Sequence, residues 1–220
     1  MSETDRPPPR PSGGPNVEID LLEDADADVG RATVSGLDLS GRTFTGRAFD
    51  DVVFSGTRCT GTTFERCQFD TVVFRDCELS AVTFTECSLR ELVIVGGKAA
   101  SFVVVDDCGI DDVWITDMAL GDLSISSCAF RGPLVIAASK ASEVAFARCR
   151  ATGNRASVVI SEFRAQRLRG MEALAAASIE PLLEETLWRE LAAARLREAG
   201  VGALDEGAQL DLDRSLDRLR

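Results

Sequence analysis

The sequence predicts an all-β solenoid, a four-sided coil of about six turns closed at its C-terminal end by α-helix. Three observations carry that prediction. Five cysteines, Cys67, Cys87, Cys108, Cys128 and Cys149, recur in step, alternately twenty and twenty-one positions apart. A finer beat of five runs through and between them: Phe44, Phe49, Phe54, Cys59, Phe64, Phe69, Phe74, Leu79, Phe84, Leu89 and Ile94. A second apolar or small residue sits two positions before many of these, as in Val52, Cys67, Val72, Cys77, Val82, Cys87 and Leu92. Self-similarity at a fixed period marks a repeat architecture.

A period of five fits neither the helix nor the strand. Two apolar residues two apart lie on one face of an extended stretch, so the residue between them points outward. The other two residues of each five must bend the chain. Short turn-forming residues crowd those places, as in Ser55-Gly56, Thr60-Gly61 and Asp111-Asp112. Four such units make a square turn, and four fives match the shorter cysteine spacing. The two longer intervals imply one extra residue near Ser101-Phe102 and another between Val135 and Ala141. After each slip the beat resumes one register later, at Ile110, Ile115, Leu120, Ile125 and Phe130, then at Phe146 and Ala151.

These residues resemble the pentapeptide-repeat proteins, over roughly residues 35–163. The commonest unit of that family reads Ala-Asp/Asn-Leu, and here only Leu37-Asp38-Leu39 comes near it; most units read Val-x-Phe or Cys-x-Phe/Leu. The resemblance implies a right-handed quadrilateral β-helix. It also implies action by binding rather than by catalysis. The best-understood members resemble duplex DNA in width and charge, and bind type II topoisomerases such as DNA gyrase in its place. They thereby protect the enzyme from quinolones or other gyrase poisons.

The chain divides into four parts. Residues 1–16 hold five of the seven prolines and read as a disordered or polyproline-like tail. Residues 17–34, acidic with the short apolar run Ile19, Leu21 and Leu22, are expected to cap the N-terminal end. Residues 35–163 form the coil. Residues 164–220 are expected to be helical, because an open solenoid end needs covering. Ser178-Ile179-Glu180-Pro181 suits a helix start, with proline in the first turn. Leu183, Leu187, Leu191 and Ala194 follow at helical spacing, Gly200 suits a C-cap, and Leu212, Leu216 and Leu219 suggest a short last helix. In some members of the resembled family such helices also dimerise.

Composition excludes much chemistry. The chain has no histidine and no tyrosine, so the commonest general base near neutral pH and the commonest zinc ligand are missing. Gly96-Gly97-Lys98 is no phosphate loop, since Leu92 and Ala99 stand where glycine and Ser/Thr are required. Seven cysteines without a C-x-x-C pair argue against a secreted disulfide framework. Six of them fall on the small inward position and Cys59 on the central one, where free cysteine acts as a small hydrophobe. The expectation is therefore no enzyme, no metal and no cofactor. No signal peptide or membrane-length apolar run is present, which predicts a cytoplasmic protein away from membranes. The net charge of −12 gives no basic footprint for direct nucleic-acid binding. Residues 35–163 carry 17 acids against 12 bases. A duplex of about 30 Å would carry roughly 18 negative charges, so any mimicry of DNA is diluted.

Stacking the outward positions turn by turn gives two candidate surfaces. One corner reads Asp50-Asp51, Asp70-Thr71, Arg90-Glu91, Asp111-Asp112 and Arg131-Gly132, with Glu65-Arg66, Thr85-Glu86 and Asp106-Asp107 in an adjacent column. Asp50, Asp51, Asp70, Glu91, Asp111 and Asp112 are the candidate contacts for a basic groove on a protein partner. Asp107, Asp112, Asp117 and Asp122 hold the same place in four successive units. The other surface is an outward apolar stripe, Val53, Val73, Val93 and Trp114, joined by Leu134 with the second slip after it. Exposed apolar patches of that kind mark interfaces. A homodimer pairing these faces is the first expectation; the helix around Leu187 and Trp188, or the functional partner, are the other candidates to cover them.

Overall fold

In a computed structural model, residues 28–161 and 163–183 are described, and they form a parallel β-solenoid of about seven turns. Through the early turns each rung lies twenty positions beyond the last, so that Val53 pairs with Val73, Phe54 with Phe74 and Val73 with Val93. A ten-stranded sheet carries two adjoining sides of the coil. Its strands, such as Ala48–Ser55 and Gln68–Arg75, bend from one side to the next at Asp51 and Thr71. A seven-stranded sheet and a line of single bridges, Asp38–Arg58–Glu78–Lys98, make the other two.

The five-residue beat has a direct backbone cause. From Arg31 to Gly96 every fifth residue holds a positive φ, without a gap. Glycine adopts it freely at Gly36, Gly41, Gly46, Gly56, Gly61 and Gly96. Asp, Glu, Arg, Thr or Ala hold it elsewhere, at a cost of about 1–2 kcal/mol each. Tertiary packing must supply that energy, and the core shows how. Phe44, Phe64 and Phe84 stack one per turn with ring centroids 5.3 and 5.2 Å apart. Phe49 lies over Phe69 at 5.1 Å and Phe54 over Phe74 at 4.6 Å. The columns meet edge to face, for example Phe64 with Phe69 at 5.2 Å. Such pairs add about 0.5–1.5 kcal/mol each beyond the apolar area they bury. Arg47 occupies an inward position at the N-terminal end, only 4% exposed, with its guanidinium 5.9 and 6.0 Å from the Phe44 and Phe49 rings.

Beyond Lys98 the coil is interrupted. Lys98 pairs with Ala119 and Phe102 with Asp122, so the offset between rungs drops by one between those pairs. The first extra residue therefore lies near the expected site. The second slip is earlier than expected. Phe130 pairs with Ile110 but Leu134 with Val113, which puts the extra residue within Arg131–Gly132–Pro133. Pro133 can sit there because it opens its strand. A third insertion escapes the sequence reading. Ala151 pairs with Phe130 and Val158 with Leu134, an offset that grows by three, so three more residues bulge between them. One turn above the first slip, Gly121 leaves room for the bulge; a Cβ there would lie 2.2 Å from the Ser101 carbonyl.

At the C-terminal end the structure corrects the helix boundary. A helix does form, but at Met171–Ala176, burying Met171 and Leu174. The expected helix start is instead the strand Glu180–Leu183, which joins the sheet beyond Ser157–Ser161. An open rung offers unpaired carbonyls and amides, and pairing them outweighs helix propensity here. Pro181, in the last strand among the described residues, has no N–H to offer a further strand. The ladder also runs past both sequence boundaries, with Val29–Ser35 at one end and Arg164–Arg169 at the other, which accounts for the additional turn. Residues 1–27, the helical spacing of Leu187, Leu191, Ala194 and Gly200, Trp188, and the Leu212–Leu219 segment lie outside the described residues.

Candidate partner-binding edge

The coil brings the six candidate carboxylates onto one corner. Asp50, Asp70, Arg90 and Asp111 pair rung to rung. The residues that follow them, Asp51, Thr71, Glu91 and Asp112, each take the corner bend, with φ of 54°, 54°, 50° and 63°. Rungs stand about 4.8 Å apart, so the carboxylates form a tight column.

Contacts within the edge temper its charge. Arg90 forks onto Asp70, its Nε donating to Oδ1 at 3.0 Å. Thr71 donates to Glu91 Oε2 at 3.2 Å. Arg155, carried on the third insertion, reaches back to Asp111 at 3.9 Å. Trp114 donates its indole N–H to Asp112 Oδ1 at 2.7 Å, tying the apolar stripe to the acidic corner. The ion pairs are mostly exposed, so each contributes little to stability and can exchange partners. Asp107, Asp112 and Asp117 share the bend conformation at three corners, with φ of 50°, 63° and 53°. Asp122 lies on the remaining corner beside Glu143.

The apolar stripe differs from expectation in two ways. Its members are Thr33, Val53, Val73, Val93, Trp114, Val135 and Val159. Leu134 points inward and is 1% exposed, because the second slip precedes it. The stripe is also less open than its outward direction implied: Val53, Val73 and Val135 are 7, 5 and 7% exposed. Thr33, Val93, Trp114 and Val159 are half-buried and form its accessible part.

The cysteines turn inward. Six are buried and Cys149 is half-buried. Each thiol of the column donates to a main-chain carbonyl in the turn before it: Cys67 to Phe44 at 3.3 Å, Cys87 to Phe64 at 3.3 Å, Cys108 to Phe84 at 3.5 Å. Thr57 and Thr62 do the same to Val34 and Leu39. Cysteine in this column therefore adds a hydrogen bond to its packing and is more than filler. Burial pushes the Cys59, Cys77 and Cys149 thiols up, away from the reactive thiolate. Among the described residues no group of three or more His, Cys, Asp or Glu is placed to hold a metal, and no helix is long and apolar enough to cross a membrane.

Charge is segregated along the coil. Residues 28–130 carry 16 acids and 8 bases, whereas residues 131–169 carry 2 acids and 8 bases. Arg131, Lys140, Arg148, Arg150, Arg155, Arg164, Arg167 and Arg169 are all exposed. Glu143 bridges Arg167 and Arg169 at 3.9 and 3.2 Å. On one side the early turns alternate, Asp38–Arg58–Glu78–Lys98, with bridges of 3.1, 3.6 and 3.8 Å. The same column then continues as Ala119, Lys140 and Arg164, with no acid. The signal was legible as the base-free run between Lys98 and Arg131 followed by a base-rich one.

The sequence matches no family model and no curated protein. Among solved structures, two trypsin-treated variants of QnrB1, a plasmid-mediated fluoroquinolone resistance protein, are similar to it. Each is 12% identical and is covered over 100% of its length by 81% of this chain, with TM-scores of 0.35 and 0.29. The β-solenoid assignment stands on the rung-by-rung register itself.

Proposed function

We propose that this chain is a non-catalytic, cytoplasmic protein-interaction scaffold of the pentapeptide-repeat type, whose working surface is the acidic edge. The observation that carries the reading is the register of Asp50, Asp70 and Asp111 on one corner, with Asp51, Glu91 and Asp112 at the bends beside them. The partner is a protein with a basic cleft, and neither cofactor nor nucleic acid takes part. A second copy covering the open part of the stripe, Val93 and Trp114, belongs to the same reading. Binding through the edge falls steeply with ionic strength. Asp111→Lys with Asp112→Lys abolishes it and leaves the circular dichroism unchanged; binding that ignores salt and both substitutions would remove the edge from the account.

A second reading, mimicry of DNA toward DNA gyrase or another type II topoisomerase, is favoured by the segregation of charge. The acidic excess is concentrated in residues 28–130, with 16 acids to 8 bases. Those five turns span about 24 Å, over which duplex DNA carries roughly 14 charges. The net excess of acids there is a little over half the charge density of DNA, well above the average for the whole coil. A supercoiling assay with purified gyrase and ciprofloxacin decides it: protection or inhibition at micromolar protein supports mimicry, and no effect leaves the scaffold reading with another partner.

A further inference from the structure

We infer that the edge is self-complementary and that two copies of this chain associate antiparallel along it. The inference rests on the reading of this edge as a contact surface. Its ground is the order of charges along the corner: Asp50-Asp51, Asp70, Arg90-Glu91 and Asp111-Asp112 rung by rung, then Arg131 in the turn after Asp111, then Arg155 on the insertion above Arg131. Acids occupy one end and arginines the other. A two-fold axis between the Arg90 and Asp111 rungs sets Asp50 and Asp51 against the partner's Arg155. The same axis sets Asp70 against the partner's Arg131 and Arg90 against the partner's Asp111. Two-fold symmetry makes every one of these contacts twice. Beside that axis lie Val93 and Trp114, the half-buried part of the apolar stripe, which the partner then covers.

The insertions are what make the match. Both arginines are carried where extra residues were added at this corner, Arg131 in the second slip and Arg155 in the third. Arg131 has no ion pair among the described residues. Arg155 has a 3.9 Å contact to Asp111 with its side chain 69% exposed, a bridge weak enough to exchange.

The bases of the last turns point to an anionic partner, and the charge distribution favours a second copy over a phosphate polymer. Any polyanion lying along the edge past Arg131 and Arg155 meets the carboxylates of Asp111, Asp112 and Glu91 within a few rungs, inside about two Debye lengths at 0.1 M salt. A second copy sets Asp50, Asp51, Asp70 and Asp111 against arginines, and only Glu91 then faces an acid, the partner's Asp112. The contact is small: six rungs of about 4.8 Å and a strip about 10 Å wide lie far below the roughly 1,200 Å² of a stable interface. The dimer is accordingly weak, salt-sensitive and in competition with any partner for Asp50, Asp51 and Asp70.

Sedimentation velocity of the full chain from about 5 to 500 µM tests this without any second protein, so its failure leaves the partner reading standing. A monomer–dimer equilibrium is expected at about 20 mM NaCl, at least tenfold weaker at about 300 mM. Arg155→Glu alone, and Asp50→Arg with Asp51→Arg alone, each give monomers with unchanged circular dichroism. An equimolar mixture of the two variants restores a dimer, since each reversed charge then faces a reversed partner. A wild type monomeric throughout, a dimer indifferent to salt and to both variants, or failure of the mixture to re-associate would each overturn the inference. So would a monomer that binds a short DNA duplex and loses it on Arg148→Glu with Arg150→Glu, which would assign the bases to a phosphate polymer instead.

Discussion

From Arg31 to Gly96 the chain bends at every fifth residue and stacks phenylalanine on phenylalanine; from Ser101 onward three insertions break the beat and the core becomes largely aliphatic. The surface changes too, further along the coil: residues 28–130 carry 16 acids and 8 bases, whereas residues 131–169 carry 2 acids and 8 bases. Identical rungs put identical side chains in identical surroundings, so rings align in columns and strained bends are tolerated many times over. Insertions forfeit that alignment locally but let loops leave the corner. In this chain those loops carry Arg131 and Arg155 onto the acidic edge.

Substitutions at equivalent places in the two halves sharpen the contrast. Phe64 lies between Phe44 and Phe84 and meets three more rings edge to face, so Phe64→Ala should destabilise by about 3–5 kcal/mol in urea unfolding. Ile125→Ala, equally buried in the interrupted half, should cost about 2–3 kcal/mol. Equal costs would mean that the ring columns add nothing beyond buried area. Gly121→Ala should lose about 1–3 kcal/mol, because its Cβ would press on the Ser101 carbonyl. Gly109→Ala, with open space around it, should stay within about 0.5 kcal/mol. Thermal melts of the pair are a direct check on the first bulge.

The remaining two effects are smaller. Cys108→Ser should be tolerated within about 1 kcal/mol, since a hydroxyl can donate to the Phe84 carbonyl as Thr57 and Thr62 donate to theirs, whereas Cys108→Val loses that donor and should cost about 1–2 kcal/mol. A serine variant worse than valine would show that the position selects only for apolar volume. Ala81 holds φ of 57° at a bend where glycine is free of strain, so Ala81→Gly should stabilise by up to about 1 kcal/mol. Melting temperatures unchanged or lowered would mean that the bend carries no strain at that corner.

How far the fold was legible depends on which signal encoded each part. The five-residue beat reveals the coil and its inward set, because apolar side chains two apart leave no other face to bury. It also reveals the first slip, since Cys87 and Cys108 bracket it. The second slip is misplaced from sequence because Leu134, Val135 and Ile136 are all apolar, and periodicity cannot tell which of three such residues faces out. The third is hidden because Thr152-Gly153-Asn154-Arg155 has no apolar member to mark a lost beat. Glycine one turn above an insertion was the available clue, as Gly121 is to Ser101 and Gly153 to Arg131. Leucine spacing after Pro181 suggested helix, yet the open rung beside Ser157–Ser161 recruited Glu180–Leu183 as strand, a tertiary demand that local propensity does not contain. The column of six carboxylates was visible from the spacing alone. Its counter-charges were not, because Arg155 reaches Asp111 only through the unseen insertion.

The unbroken beat should make the early turns, which carry Asp50, Asp51, Asp70 and Glu91, the more rigid part of the coil, and the turns after the insertions should open more readily. Residue-resolved amide hydrogen exchange tests that difference most directly. Amides between Phe44 and Ile94 should exchange about 100-fold more slowly than those of residues 134–169, a difference of about 2–3 kcal/mol in local opening. Uniform protection along the coil, or faster exchange in the phenylalanine-cored turns, would contradict it.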